Sequence, residues 1–137
     1  MALDVGDKKI GIAISDALLL TAQPRPTHRR KDLKSDIEAL RILAAENEVH
    51  QLVVGQPLHM DGRESPQSQK VARFAEELQK ALDIPMIFWD ERLTSFEAEQ
   101  QLEQMGLNWR QRREQVDKMA AMIILQNYLD SRAAPHT

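Results

Sequence analysis

Hydrophobic positions alternate strictly near the start of the chain. Ile10, Ile12 and Ile14 are separated by Gly11 and Ala13, a period of two that predicts a strand with one large and one small face. Leu3-Asp4-Val5 predicts a short strand before it, and Gly6-Asp7-Lys8 a hairpin turn in which Gly6 is free to take positive φ. Only three residues precede Asp4, which is short for a central strand: either the strand is stubby or the natural chain begins upstream of Met1. In Gln23-Pro24-Arg25-Pro26-Thr27 the two prolines stand two apart. Their missing N–H groups fall on one side of an extended chain, which predicts a third strand at a sheet edge.

The period then lengthens. Leu33, Ile37, Leu40 and Ala44 recur at helical spacing and predict a helix from about Asp32 to Asn47. Gln51-Leu52-Val53-Val54-Gly55 is almost wholly apolar, as a strand buried on both faces of a parallel sheet would be. Ser65 as N-cap and Pro66 at the first helical position open a second helix, with Val71, Phe74, Ala75, Leu78 and Leu82 as its buried stripe. Pro85-Met86-Ile87-Phe88-Trp89 is the last strand, closing a βαβ unit with a right-handed crossover. Thr94-Ser95-Phe96-Glu97 fits a capping box for a helix that ends near Gly106. A loop then leads to a final helix from about Arg113 to Leu129, apolar on nearly every side, with Ala120 and Ala121 allowing close approach to the sheet. The tail after 133 reads as loose.

Composition narrows the setting. The 137 residues suit one α/β domain spanning 1–137. With no cysteine, disulfides, thiolate metal sites and thiol nucleophiles are excluded. No apolar run approaches the roughly 20 residues of a membrane span and no signal pattern opens the chain, so the expectation is a cytoplasmic protein without membrane partners. The net charge of −3 is unevenly spread. Between Arg25 and Lys34 five cations face only Asp32, a local +4; between Gly106 and Lys118 four cations face Glu114 and Asp117, a local +2; the rest carries −9. Two basic patches on an acidic body suit either contact with a phosphate backbone or plain solvation.

Three acidic positions stand at the ends of predicted elements: Asp4, the pair Asp90-Glu91, and Asp117. Carboxylates among apolar residues are costly to bury unless paired, hydrogen-bonded or bound to a cation. In open α/β sheets ligands gather beyond the carboxyl ends of the strands, which is where Asp90-Glu91 and Gly55-Gln56-Pro57 lie. The set therefore suggests a divalent-metal site. The plainer readings are a turn-capping Asp4, helix N-terminal acids at Asp90 and Glu91, and an early-turn acid at Asp117.

The chain resembles the YqgF (RuvX-like) family, described as Holliday junction resolvases and as nucleases of the small-subunit ribosomal RNA precursor. The matching segments are Leu3-Asp4-Val5-Gly6 with Ile10-Gly11-Ile12-Ala13, Val54-Gly55-Gln56-Pro57-Leu58 with Met60-Asp61-Gly62, Asp90-Glu91-Arg92-Leu93-Thr94, and Val116-Asp117-Lys118 with Ala120-Ala121 and Ile124-Leu125-Gln126. The resemblance implies a ribonuclease H-like fold: a five-stranded mixed sheet of order 3-2-1-4-5, strand 2 antiparallel, flanked by helices. It implies Asp4, Glu91 and Asp117 as catalytic metal ligands for Mg²⁺ or Mn²⁺, with Asp90 as a further ligand. The substrate would be a ribosomal RNA precursor, cut at the 5′ end of 16S rRNA, or branched DNA. Lys8, Lys9, Arg92, Arg110, Arg112, Arg113 and Lys118 are the expected nucleic-acid contacts, and Trp109 offers a stacking surface beside them. The expected assembly is a monomer or weak homodimer.

Two rival classes remain. An Asp-x-Gly turn also opens actin-like kinases and ATPases, which use far more chain than this. A non-catalytic RNA- or ribosome-associated module on the same fold is the other, because a fold alone does not establish chemistry.

Overall fold

The computed structural model describes residues 1–59, 61–91, 100, 103–106 and 108–133, with the side chains of 109–110, 112–118 and 133 outside that description. Five strands form one sheet: β1 (Ala2–Val5), β2 (Lys9–Ser15), β3 (Ala22–Arg29), β4 (Leu52–Gln56) and β5 (Met86–Asp90). Their order is β3-β2-β1-β4-β5. β2 runs antiparallel to β1 and β3, while β4 is parallel to both β1 and β5. The helices are α1 (Leu33–Glu46), α2 (Pro66–Leu82) and α3 (Trp109–Ala133).

The period-two strands sort the core into two layers. The large face of β2, with Leu3, Val5, Leu52 and Val54, packs beneath Leu40 and Ala44 of α1 and Val71, Phe74, Ala75 and Leu78 of α2. The small face is built from Ala2, Ala13 and Val53 and meets Ala121, Ile124, Leu125 and Leu129 of α3. Alanines on both sides let that helix lie close to the sheet. Each fully buried Leu or Ile contributes about 1.5–3 kcal/mol, so the two layers are the main source of stability.

Local signals act where the sequence places them. Asp32 caps α1 by accepting from the Ser35 N–H, and Ser65 caps α2 in a reciprocal box with Ser68. β3 is an edge strand, as its prolines require, and the register slips between Ile10 and Ile12, where two steps along β2 span three along β3 from Arg25 to His28.

Two expectations are corrected. Gly6 is not among the residues with positive φ; its need is steric, since a Cβ there would come 2.9 Å from the Lys9 carbonyl oxygen in the β1–β2 turn. The last helix starts at Trp109 rather than Arg113, so no loop runs from 106 to 113. Asn108 Oδ1 accepts from the Gln111 N–H and Gln111 Oε1 accepts from the Asn108 N–H, a reciprocal cap that begins the helix four residues early. The helix expected over 94–106 falls mostly outside the described residues. Its expected end is seen, with 103–104 helical and Gly106 at φ +75°.

Candidate active site

Asp4 shares with Ala2 the α3 face of β1, the central strand. The β1–β4 register pairs Leu3 with Val54, so Asp4 lies beside Gly55. Gly55 in turn pairs with Trp89, and Gln56 with Asp90. All three parallel strands therefore deliver their carboxyl ends to one edge of the sheet, with Asp4, Gly55 and Trp89 in a row on the α3 face.

Glu91 follows β5 and its N–H donates to the Gln56 carbonyl at 3.2 Å, which holds the chain against the end of β4. Its side chain folds back across β4. A Cβ at Gly55 would collide with Glu91 Oε2 and come 2.8 Å from Ile124 Cδ1. The missing Cβ is the space that the Glu91 carboxyl occupies between the sheet and α3. From there Glu91 reaches Asp4 and hydrogen-bonds to it.

Burial, then the charge of Asp4, its hydrogen bond and the charge of Asp90 push the Glu91 carboxyl up to about 8. At neutral pH the Asp4–Glu91 pair thus holds one proton between its two carboxyls. Two carboxyls forced together share either a proton or a cation. The neighbours that set this shift have the same sign, and the donors are hard oxygens, a set that fits Mg²⁺ or Mn²⁺. Asp90 is exposed at the strand end and acts on Glu91 through its charge.

Among the described residues, no group of three or more His, Asp or Glu side chains is arranged to hold a metal ion. The third expected ligand, Asp117, lies in α3, eight residues from its start, and its side chain is outside the described residues, as are those of Arg110, Arg112, Arg113 and Lys118. Arg92 is outside them entirely. Lys8 and Lys9 are exposed in and beside the β1–β2 turn, at the same edge of the sheet as Asp4. His59 is exposed in the loop after β4, where its carbonyl accepts from the Gly62 N–H. Asp61 in the same loop is engaged by the Arg63 backbone and guanidinium.

Two features escaped sequence reading. Gly55 was visible at the end of an apolar strand and in a matching segment but not as the residue that makes room for Glu91, although a glycine closing a strand is itself a signal of close approach. The other is Asp36, 1% exposed. It accepts from His28 Nε2 at 2.9 Å, Arg30 Nε at 3.1 Å and the Lys31 N–H at 3.0 Å. Burial raises its carboxyl, but the Lys31 N–H, His28 and Arg30 outweigh burial and hold it below the usual range. Arg30 also donates to the Gly6 carbonyl at 2.9 Å and covers the Phe74 ring at 4.8 Å.

The five-stranded mixed sheet of order β3-β2-β1-β4-β5 with its flanking helices is the RuvC-like ribonuclease H fold. The structure resembles that of T. thermophilus RuvC in complex with Holliday junction substrate, with a TM-score of 0.57 at 11% identity over 96% of this chain and 93% of that one. A family model described as RuvX, Holliday junction resolvase, matches residues 1–131, and the chain belongs to that family. It is 49% identical to a protein of Thermoanaerobacter pseudethanolicus named "Putative pre-16S rRNA nuclease", over 96% of both chains. A protein of the same name from Myxococcus xanthus is 44% identical, over 100% of this chain and 91% of the other.

Proposed function

We propose that this chain is a divalent-metal-dependent nuclease that hydrolyses phosphodiester bonds of structured nucleic acid, processing the 5′ end of the 16S rRNA precursor or resolving Holliday junctions in the cytoplasm. The observation that carries this reading is the Glu91 carboxyl folded over Gly55 onto Asp4. Asp4, Glu91 and Asp117 are the proposed catalytic ligands, with Asp90 in support. Mg²⁺ or Mn²⁺ bound there would neutralise phosphate charge and lower the pKa of water in an in-line displacement.

The chain's own residues supply placement. Asp4 is fixed on the central strand, and the Glu91 N–H bond to Gln56 keeps its carboxyl over β4. Loss of the proton shared by Asp4 and Glu91 readies the pair for a cation. Lys8, Lys9, Arg92, Arg110, Arg112, Arg113 and Lys118 are assigned to the nucleic-acid backbone. A monomer suffices for cutting RNA, whereas symmetric cleavage of a junction needs two copies.

The test is a panel of branched DNA, structured RNA and single strands with Mg²⁺, Mn²⁺ or chelator, using Asp4→Asn as control. Cleavage that needs metal and Asp4 is the expected result. Tight binding of RNA without cleavage by either metal would replace the enzyme with a non-catalytic RNA module.

A further inference from the structure

We propose that the cleft between the β1–β2 turn, the end of β3 and the start of α1 binds the sugar-phosphate backbone of the nucleic acid beside the point of cleavage. The proposal rests on the nuclease reading above and adds a substrate subsite with Arg29 and Lys31 as new contacts. The cleft has a volume of about 640 Å³ and is lined by Lys8, Lys9, Arg29, Arg30 and Lys31, with Asp7, Asp32 and Asp36.

Its acids are already engaged. Asp7 lies 3.6 Å from Lys70 Nζ, Asp32 caps α1 through Ser35, and Asp36 is buried under His28 and Arg30. Lys8, Arg29 and Lys31 form no side-chain ion pair among the described residues. Five cations against three acids leave the lining of the cleft net positive, which suits an anion.

The cleft is built rigidly: Arg30 spans from buried Asp36 to the Gly6 carbonyl, and the Arg30 N–H donates to the Lys8 carbonyl at 2.9 Å. That clamp ties the end of β3 to the turn that begins two residues after Asp4. A strand whose scissile phosphate lies at Asp4 and Glu91 would run over this turn into the cleft. A nucleic-acid backbone is favoured over other polyanions by this continuity with the carboxylates.

The test compares the full chain with Arg29→Gln/Lys31→Gln in chelator, where no cleavage occurs. Binding of a labelled four-way DNA junction and of a structured RNA is measured from 50 to 300 mM salt. A matched pair, Lys34→Gln/Arg41→Gln, removes equal charge from α1 outside the cleft. The cleft variant should bind about tenfold or more weakly at low salt, and its slope of log affinity against log salt should drop by about 1.4–1.8, the value for two lost phosphate contacts. Its thermal unfolding temperature should be unchanged, which separates lost contact from lost fold. Should neutralisation nonetheless unfold the chain, Lys8→Gln, in the exposed turn, must show half the slope change.

Wild-type binding with an unchanged slope in the cleft variant, or an equal loss in the α1 pair, would overturn the cleft while leaving the nuclease reading intact. Absence of wild-type binding to either nucleic acid would remove both. Loss of binding to phosphatidylserine vesicles alone would reassign the cleft to a membrane surface and overturn the proposal.

Discussion

At Gly55 one absent methyl group decides the geometry of the carboxyl pair. Gly55→Ala would drive a Cβ into Glu91 Oε2 and toward Ile124 Cδ1, and because α3 backs that contact the carboxyl must leave Asp4. The expected result is a loss of about 1–3 kcal/mol in urea unfolding, together with loss of metal-dependent cleavage. Unaltered stability would mean that Glu91 yields freely and that its position carries no information. Glu91 also sets a pH dependence. Its carboxyl titrates at about 8 in the folded chain against 4.5 as its ordinary value, so the folded state holds a proton that the unfolded state has lost between those values. Stability from this group is full below pH 4.5 and declines as pH climbs to about 8. In chelator, wild type should therefore lose unfolding temperature between pH 5 and pH 8.5 relative to Glu91→Gln, and parallel curves for the two would show that Glu91 titrates normally. The carboxylates themselves were legible in the chain, because acids among apolar strand residues are conspicuous. The choice between Asp90 and Glu91 was not, since it depends on side-chain parity past the end of β5 and on the space above Gly55.

Elements were most readable where a periodic stripe coincided with a cap. The second helix is the clearest case, because Ser65-Pro66 and the stripe from Val71 to Leu82 agree. The last helix was harder: Arg110, Arg112 and Arg113 resemble a solvated loop, and the reciprocal bonds of Asn108 and Gln111 were overlooked although both residues are plain in the sequence. Asn108→Ala should cost about 1 kcal/mol of stability by losing that cap. A null effect in denaturant titration would return the helix start to Arg113. Asp36 carries no signal in the sequence, because its partners His28 and Arg30 come from the end of β3 and the residue after it and meet it only in the fold. Asp36→Ala leaves the His28, Arg30 and Lys31 donors without their buried acceptor and should cost about 3–5 kcal/mol. A loss below 1 kcal/mol would show that Arg30 is held by Gly6 and Phe74 alone.

For the whole molecule, the sheet carries two opposed electrostatic surfaces on one edge: crowded carboxyls at the ends of β1 and β5, and a basic cleft around the β1–β2 turn. The carboxyl pair works against folding at high pH. A cation bound there would relieve that repulsion, so stability of the whole chain should report on occupancy. A ligand at a hundred times its dissociation constant adds about 2.7 kcal/mol to unfolding. Binding of Mn²⁺ must displace the proton between Asp4 and Glu91, so its apparent affinity should rise up to tenfold per pH unit below about 8 and level off above. Thermal unfolding at fixed Mn²⁺ should accordingly show a small upward shift at pH 6 and a larger one at pH 8.5. Asp4→Asn should abolish the shift at both. An equal shift at the two pH values, or one that survives Asp4→Asn, would place the cation away from the pair and leave the shared proton as the group's resting state.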